Sequence, residues 1–392
     1  MRGLPSGGRG AAWFTGLVLA SALITEGVAA QSALLPLARP AAVEVRELAP
    51  GVAYTRFRAE GSATGREWTG HLLEIDLDSA SLSVELGVGQ LLGQETTSSM
   101  VLRRGAVAGV NGGFSVSNDP YTLVHGDPNG FVVVDGRVVS EPVPGRPAIG
   151  FCSEAPRIRF LLPEVRVLAR PGLDGPIGLN RARGADDVVL YTPEWGRSTL
   201  TEPGGVEVVV EAGRVVAVEA AGSTTIRDDG VVISASGPRA AATRDAFPEG
   251  RRVDLELRVL DLSTGEPVDL AGCDYTSAGP VVARSGRPLS GFDPAAYRES
   301  FQIERHPRTG VGLSRDGGTA WLFVIDGRAP DVSVGATLSE LADLMLGFGA
   351  WWVYNLDGGG STTMALAGSG AVNRPSDGPE RRRTDAVLVF AR

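Results

Sequence analysis

Short apolar or alternating runs, each ended by Gly, Pro, Asp or Asn, dominate the chain from Val43 onward. Runs of this kind predict β-strands. The strands expected from the pattern are His71–Leu77, Leu82–Leu86, Val107–Val110, Phe131–Val134, Ile158–Leu162, Val206–Val210, Val215–Glu219, Val231–Ala235 and Val253–Leu260. Asp135-Gly136 and Ala212-Gly213 each stand between two such runs, so we expect tight hairpin turns at both places.

One helix is predicted near the C-terminus. Thr337 and Glu340 have the spacing of a capping box. Apolar residues then follow at helical period until two glycines end the pattern; they are Leu338, Leu341, Leu344, Met345 and Phe348, with Gly347 and Gly349 after them. Strands Ala320–Ile325 and Ala350–Leu356 flank this helix, which predicts two parallel strands with a right-handed connection. The expected fold class is α+β, with β-rich mixed sheets, few helices and this one C-terminal strand–helix–strand unit.

A carboxylate, three glycines and three hydroxyl residues follow the second of these strands. The stretch is Asp357-Gly358-Gly359-Gly360-Ser361-Thr362-Thr363. Consecutive glycines weaken a strand, but they let the backbone turn sharply or approach a ligand closely. Exposed N–H groups on such a turn, with the Ser361 and Thr362 hydroxyls beside them, suit an anionic oxygen. The alternative is a glycine-rich hairpin turn with a capping Asp.

Asp326 follows the first strand of the strand–helix–strand unit as Asp357 follows the second. The ends of parallel strands meet at one edge of a sheet, where ligand sites of α/β units form. We therefore expect the two carboxylates to lie about one or two strand spacings apart. Paired carboxylates at roughly 5–10 Å are what glycosyl transfer to water requires. The alternative for Asp326 is that it only opens an Asp-Gly turn.

A second segment repeats this logic, because Asn111, Gly112 and Gly113 also follow a short apolar strand. The Asn111 side chain can both donate and accept hydrogen bonds. Arg308, Arg328 and Arg381 are candidates for phosphate binding, since a guanidinium grips phosphate at two points. The alternatives are an ordinary hairpin turn at Asn111-Gly112 and arginines that are simply surface residues.

Composition excludes several functional classes. The chain is 43% apolar and 21% charged, which permits a full core, and its net charge of −9 argues against a nucleic-acid surface. It has no lysine, which excludes a lysine-dependent phosphate loop, a Schiff base and a catalytic lysine.

The N-terminus is typical of an export signal. Arg2 and Arg9 precede the apolar stretch 11–24, and Val28-Ala29-Ala30 follows it. We expect a signal peptide over 1–30, a linker over 31–42 and one domain over 43–392. The expected localisation is secreted, extracellular or in the cell envelope. An uncleaved membrane anchor is the alternative, and no later run approaches the ~20 apolar residues of a transmembrane helix.

Two cysteines, Cys152 and Cys273, lie in the predicted mature part. They form either one long-range disulfide or two buried free thiols. With three histidines, His71, His125 and His306, a zinc site is not expected. No cofactor is required. Clustered carboxylates could take Ca²⁺, but no ligand spacing supports such a site.

The motifs together resemble those of the phosphodiester glycosidase family. The resemblance rests on Asn111-Gly112-Gly113-Phe114, Leu179-Asn180-Arg181, Tyr191-Thr192-Pro193-Glu194-Trp195-Gly196, Ala278-Gly279-Pro280, Arg308-Thr309-Gly310-Val311-Gly312, Val324-Ile325-Asp326-Gly327-Arg328, the Asp357 stretch and Asn373-Arg374-Pro375-Ser376. Their order covers roughly residues 60–392. The sequence departs from the family pattern at Ser115, where a second Phe is usual, and at Arg383 and Asp385, where Val and Asn are usual. An added carboxylate would repel a phosphate.

The resemblance implies an exported hydrolase that cleaves a sugar–O–phosphate bond in a cell-wall or exopolysaccharide component. It assigns Asp357 and Asp326 as the catalytic carboxylates. It assigns the phosphate to Arg308, Arg381, Gly358–Gly360, Ser361 and Thr362, with Arg328 a further candidate, and a sugar substituent to Asn111, Gly112 and Gly113. The implied partner is a carbohydrate or glycosyl phosphate, and no stable membrane span is expected after signal cleavage. Two alternatives remain open: a non-catalytic polysaccharide-binding module, and a glycoside hydrolase that acts on a neutral polymer.

Overall fold

Antiparallel sheets build most of the molecule. The computed structural model describes residues 40–61, 66–116 and 126–392, which lie in one compact unit. The predicted signal peptide and all but three residues of the predicted linker lie outside the described residues. The first strand begins at Ala41, two residues before the expected start of the domain. Within the described part, no helix is long and apolar enough to cross a membrane.

The largest sheet has eight strands, and each neighbouring pair in it is antiparallel. In spatial order its strands are Ala41–Ala49, Val52–Gly61, Arg66–Asp76, Thr319–Ile325, Arg308–Leu313, Trp352–Asn355, Val281–Arg284 and Arg287–Pro288. A five-stranded sheet contains, in order, Gly370–Ala371, Met364–Leu366, Ala108–Asn111, Asp385–Ala391 and Ala80–Leu86. Buried apolar residues of both sheets share one core cluster.

Two more five-stranded sheets complete the main framework. One contains Ile158–Leu161, Ala148–Cys152, Cys273–Ser277, Val132–Val134 and Arg137–Ser140; the other contains Gly178–Leu179, Val188–Tyr191, Gly230–Ser236, Gly205–Glu211 and Arg214–Glu219. The first pair of the latter sheet is parallel, so that sheet is mixed. Smaller sheets join Pro163–Arg170, Asp254–Asp261 and Glu266–Pro267, and Arg382–Arg383 with Glu95–Thr96.

Helices are few, as expected. The α-helices of the described residues are α1 (Thr97–Arg104), α2 (Pro238–Ala246), α3 (Glu299–Ile303) and α4 (Leu338–Gly347), and short 3-10 turns cover Gly87–Gly89, Pro193–Trp195 and Gly359–Ser361. The β-rich α+β class is confirmed. Each of the nine strands predicted from the apolar runs coincides with an observed strand to within one or two residues, except that Arg66–Asp76 begins five residues earlier than expected.

Local sequence signals explain the best-defined turns and helix. Asp135 and Gly136 have φ values of 50° and 73°, and Ala212 and Gly213 have 46° and 69°, so each pair makes the predicted hairpin turn. The Thr337 hydroxyl accepts a hydrogen bond from Glu340 N at 3.1 Å, and the Glu340 carboxylate accepts one from Thr337 N at 3.0 Å. The capping box of α4 is therefore confirmed.

The strands on either side of α4 run in the same direction but do not pair with each other. Both Thr319–Ile325 and Trp352–Asn355 pair antiparallel with Arg308–Leu313, which lies between them. The intervening strand brings Arg308 and Pro307 into the space between Asp326 and the loop that follows Asn355. The strands that precede Asp326 and Asp357 are therefore two strand spacings apart, the wider of the two separations expected from the sequence.

The two cysteines form a disulfide. Cys152 and Cys273 face each other on neighbouring antiparallel strands, and 121 residues separate them in sequence. A cross-link over so long a loop restricts the unfolded chain strongly. This outcome decides between the two alternatives that the sequence left open.

Removal of the disulfide is expected to lower the free energy of unfolding by about 2–4 kcal/mol. The measurement is urea unfolding of the double variant Cys152→Ser/Cys273→Ser beside the oxidised and reduced wild-type protein. Reduced wild type should unfold at the lower urea concentration of the double variant. Equal midpoints for oxidised and reduced wild type would contradict the prediction.

Candidate active site

The glycine-rich stretch follows the strand Trp352–Asn355 of the eight-stranded sheet, and Asp357 is the second residue beyond Asn355. Asp357 N donates to Gly112 O at 3.1 Å, so the two glycine-rich segments lie side by side. Asn111 fastens them together. Its Nδ2 donates to Asp357 O at 2.8 Å, and its Oδ1 accepts from Thr309 Oγ1 at 2.7 Å and Thr363 N at 3.0 Å.

A pocket of 300 Å³ opens beside this junction. We call it the arginine pocket; its lining residues are Phe114, Ser115, Asn129, Arg146, Asp357, Gly358, Ser361, Arg381 and Arg383. The three arginines outnumber the one carboxylate of its lining, although the whole chain has a net charge of −9. Local positive charge in an acidic protein favours an anionic ligand.

Asp357 and Arg383 form the charged centre of this pocket. Asp357 Oδ2 lies 2.8 Å from Arg383 Nη2, and Asp357 Oδ1 accepts a hydrogen bond from Gly358 N at 2.8 Å. The same Arg383 Nη2 donates to Ser115 Oγ at 2.9 Å. Ser115 and Arg383 are two of the positions that depart from the family pattern, and here they contact each other. The carboxylate is thus held in one orientation by two donors.

Arg146 lines another wall of the pocket. Its Nη1 donates to the backbone oxygen and to the side-chain oxygen of Asn129, at 3.0 and 3.2 Å. Its guanidinium lies 5.2 Å from the centre of the Phe114 ring, a cation–π contact that fixes its plane. The partners of Arg146 hold its guanidinium in place. Because these partners are neutral, they do not cancel its positive charge.

Asp385 lies directly behind the pocket and is fully buried. It accepts hydrogen bonds from Gly113 N at 2.9 Å and from Thr276 Oγ1 at 2.6 Å. Burial raises the pKa of its carboxyl group, and repulsion from Asp357 adds to that rise. A Cβ at position 112 would lie 2.4 Å from Asp385 Oδ2, so only glycine fits there. The carboxyl neighbour of Asp357 is thus Asp385.

The structure does not bring Asp326 into the arginine pocket. Its carboxylate is buried and accepts hydrogen bonds from Asn373 Nδ2 at 3.2 Å and Arg374 N at 3.0 Å, while its second oxygen lies 3.6 Å from His71 Nε2. Asn373 in turn donates to Thr362 O at 3.0 Å. Asp326 thereby supports the glycine-rich loop from behind.

Arg308, which the resemblance assigned to the phosphate, binds backbone oxygens of the protein instead. Its buried guanidinium donates to Ala336 O at 2.8 Å, Phe301 O at 2.7 Å and Glu304 O at 3.1 Å, and it does not line the pocket. Burial lowers its pKa to about 10. Asn111, Gly112 and Gly113 likewise form no part of the lining, and the hydrogen bonds of the Asn111 side chain are directed inward.

The glycine-rich loop was predicted to offer amides and hydroxyls to an anion, and only some of these groups are available in the structure. The amides of Gly358 and Gly359 donate to protein oxygens, Asp357 Oδ1 at 2.8 Å and Pro307 O at 2.9 Å, so they do not offer themselves to a ligand. Gly358 and Ser361 nevertheless line the pocket, while Thr362 is buried behind it. Arg381 lines the pocket, and Arg328 lies against Gly359 on the other side of the loop.

Sequence reasoning missed Arg146 and assigned no role to Arg383 or Asp385. A signal existed for the last two, because Arg381, Arg383 and Asp385 alternate along an extended segment and so point to one side of it. For Arg146, in a Gly-Arg-Pro turn far away in the chain, no local pattern indicates a pocket. Among the described residues, no group of His, Cys, Asp or Glu has an arrangement that could hold a metal ion.

A second cavity of 490 Å³ lies elsewhere and contains none of the predicted site residues. Charged side chains also line it, but several of them neutralise one another. Arg104 lies 2.8 Å from Glu85, and Arg137 lies 3.3 Å from Glu194. In the arginine pocket, by contrast, Arg146 donates hydrogen bonds to neutral oxygens alone among the described residues.

A buried carboxyl group near Asn129 predicts a pH dependence of stability. Burial, together with Glu141, raises the pKa of Asp127 to about 8. The folded protein thus holds a proton that the unfolded chain releases near pH ~4. The corresponding stability is fully present below that pH and is lost as the pH rises through about 8.

Asp127→Asn is expected to flatten this dependence. Between pH ~5 and ~8 the variant should lose less of its free energy of unfolding than wild type, by on the order of 2–4 kcal/mol. Urea unfolding at both pH values measures the difference. Asp254→Asn, at an exposed position of a distant strand, is the matched control. Parallel pH curves for wild type and Asp127→Asn would rule the prediction out.

Comparison with known proteins identifies the same architecture elsewhere. Protein BPSS2145 of Burkholderia pseudomallei K96243 has a crystal structure with a TM-score of 0.77 and 23% identity, over 90% of this chain and 96% of that one. A hypothetical protein from Synechocystis gives a TM-score of 0.74 and 22% identity, over 91% of this chain and 64% of that one. At these identities the similarity shows a shared fold.

Comparison of the sequence gives a match to one relative and a match to a family model. The SPbeta prophage-derived uncharacterized protein YomE of Bacillus subtilis (strain 168) is 36% identical over 85 residues, which are 22% of this chain and 13% of that protein. This chain therefore spans far less than two thirds of that relative. Residues 204–390 match the family model of the phosphodiester glycosidases, and the resemblance predicted from the motifs is confirmed over that range.

Proposed function

We propose that this protein is an exported glycosidase that hydrolyses the bond between a sugar and a phosphodiester in a cell-wall or exopolysaccharide component. The observation that carries the proposal is the arginine pocket, where one oriented carboxylate stands among three arginines. A sugar-1-phosphodiester has the two features that such a pocket can handle. It carries an anionic phosphate, and it develops positive charge at the anomeric carbon as the bond breaks.

Arg146, Arg381 and Arg383 are the residues that we assign to the phosphate. Each guanidinium can donate to phosphate oxygens in a planar fork. Ser361, whose side chain belongs to the pocket lining, adds a hydroxyl. Neutralisation of the phosphate makes it a better leaving group, and the three arginines can supply the positive charge for it.

Asp357 is the residue that we assign to the anomeric carbon. The bond from that carbon to the phosphate oxygen breaks, and both of its electrons leave with the phosphate. Water supplies the new hydroxyl group of the sugar, and its second proton goes to solvent or to the released phosphate monoester. A carboxylate held by Arg383 and Gly358 N can stabilise the positive carbon and assist the attack.

Asp326 is assigned a supporting role in this proposal instead of the catalytic one first expected. Its carboxylate is shared among His71, Asn373 and Arg374 N, which leaves it bound within the protein. It holds the loop that presents Ser361 to the pocket. Export rests on the charged, apolar and small residues of the first 30 positions.

A panel of synthetic sugar-1-phosphodiesters and wall fragments, assayed for released reducing sugar, tests the proposal. Arg146→Ala should raise KM for phosphodiesters and also lower kcat, because Arg146 binds the phosphate of the substrate and stabilises the negative charge that this phosphate gains in the transition state. Retention of glycans without any release would favour the binding-module alternative. Hydrolysis that inorganic phosphate does not inhibit would favour a neutral polymer as substrate.

A further inference from the structure

One carboxylate lies between two arginines at the rim of the arginine pocket. Nε and Nη2 of Arg381 both contact Asp377 Oδ2, and Arg328 Nη1 lies 3.9 Å from Asp377 Oδ1. Asp377 is partly exposed, as are both arginines. A single side-chain anion thus bridges two cations at a place that solvent can reach.

The glycine-rich loop forms the floor beneath this carboxylate. A Cβ at Gly360 would lie 2.3 Å from Asp377 Oδ2 and 2.5 Å from Arg381 Cζ. A Cβ at Gly359 would lie 3.0 Å from Arg328 Nη2. Bare backbone at both positions lets the two guanidinium groups and the anion settle directly on the chain. This close approach explains why glycine stands at 360.

Arg328 is poorly satisfied by the protein. Among residues 40–61, 66–116 and 126–392, its side chain has polar contacts of 3.4 Å to Ser376 Oγ, 3.4 Å to His306 Nδ1 and 3.9 Å to Asp377 Oδ1. Charge-assisted hydrogen bonds to a committed partner are normally about 2.7–2.9 Å. Its backbone also has φ 58°, a conformation that a residue with a side chain seldom adopts. The fold therefore holds Arg328 over the loop, and the part of the chain that the structure describes supplies no close acceptor for it.

Positive charge accumulates around this point. Burial lowers the pKa of His306, and the positive charges of Arg308 and Arg328 lower it further. Arg328 likewise contributes to the lowered pKa of Arg308. The carboxylates that act on these cations in the described residues are Asp377, Glu304, which lies 3.5 Å from His306, and Glu340, which acts on Arg308. A further anion would meet an attractive field here.

We propose that Arg328 and Arg381, which lie against the bare backbone of Gly359 and Gly360, form a second anion subsite beside the arginine pocket, and that the carboxylate of Asp377 occupies it in the free protein. A second phosphate group of the ligand displaces Asp377 and binds Arg328 together with Arg381, whose guanidinium then lies between this phosphate and the one in the arginine pocket. The substrate class is then a sugar phosphate with a second anionic group, such as a chain with repeated phosphodiesters. The identity of this substrate rests on the proposed function, whereas anion binding at the subsite does not.

Direct binding of inorganic phosphate and pyrophosphate by titration calorimetry tests the subsite. Asp377→Asn should bind pyrophosphate roughly fivefold more tightly than wild type, because the competing charge of one partly exposed ion pair is gone. Arg328→Ala should weaken pyrophosphate binding and leave phosphate binding less affected. Arg315→Ala is the control, because it removes the same charge at an exposed hairpin with no place in the subsite.

Unchanged or weaker pyrophosphate binding by Asp377→Asn would overturn the inference, since Asp377 would then serve only to orient Arg381. Equal losses of phosphate and pyrophosphate affinity in Arg328→Ala would overturn it as well. Calorimetry needs no turnover, so the two proposals can fail separately. Tighter binding by Asp377→Asn without sugar release by wild type would leave the subsite standing and remove the proposed function.

Discussion

Asp357→Asn is expected to lower the rate of sugar release by ~10²–10⁴. The substitution removes the negative charge that faces the anomeric carbon and leaves the shape of the side chain intact. An asparagine oxygen can still accept a hydrogen bond from Arg383 or from Gly358 N, the two present partners of the carboxylate. The free energy of unfolding should therefore change by no more than about 1–2 kcal/mol.

The measurement is the initial rate with a sugar-1-phosphodiester, together with a urea unfolding curve for the same preparation. Asp254→Asn makes the same chemical change at an exposed position of a distant strand and should retain the wild-type rate. Full activity of Asp357→Asn would remove the catalytic assignment. A loss of rate that accompanies a large loss of stability would assign Asp357 to folding instead.

Asp326→Ala is expected to affect stability more than the rate of sugar release. Its free energy of unfolding should fall by about 2–4 kcal/mol. Its carboxylate accepts hydrogen bonds from Asn373 and Arg374 N and lies beside His71, and all of these groups would lose a buried partner. Tyr54, whose hydroxyl contacts His71 Nδ1 at 2.9 Å, extends the same network into the large sheet.

Urea unfolding of Asp326→Ala and Asp326→Asn measures this effect. The asparagine variant keeps one acceptor and should lose less stability than the alanine variant. Where either variant remains folded, its rate with substrate should fall far less than that of Asp357→Asn. A stable Asp326→Asn protein with a rate as low as that of Asp357→Asn would restore the pair of catalytic carboxylates that the sequence predicts.

The fold was predictable wherever a local signal determines the structure. The hairpins at Asp135-Gly136 and Ala212-Gly213 follow from turn chemistry, and α4 follows from its capping box and apolar period. Helix α2 was not predicted, because Pro238–Ala246 is mostly small or charged and buries little beyond Thr243. Its position is set by packing against its sheet, which local sequence does not encode.

The sequence predicted the glycine-rich loop of the site but not the side chains from other segments that line the pocket beside it. Asp357 and the glycines after it are marked by composition, and they do lie at a pocket. Asp326 does not line that pocket, because Asn373 and Arg374 N bind its carboxylate behind the glycine-rich loop, and no local pattern in the sequence indicates these partners. Arg146 and Arg383 reach the pocket from segments more than 200 residues apart, and only the tertiary fold brings them together.

The bond that is broken gives the most direct test of the central claim that one pocket handles both a phosphate and a sugar cation. Hydrolysis of a sugar-1-phosphodiester in water labelled with heavy oxygen, followed by mass spectrometry of both products, locates the label. The account predicts the label on the anomeric hydroxyl of the released sugar. Label on the phosphate would mean attack at phosphorus, and it would contradict the glycosidase assignment of Asp357 and its arginines.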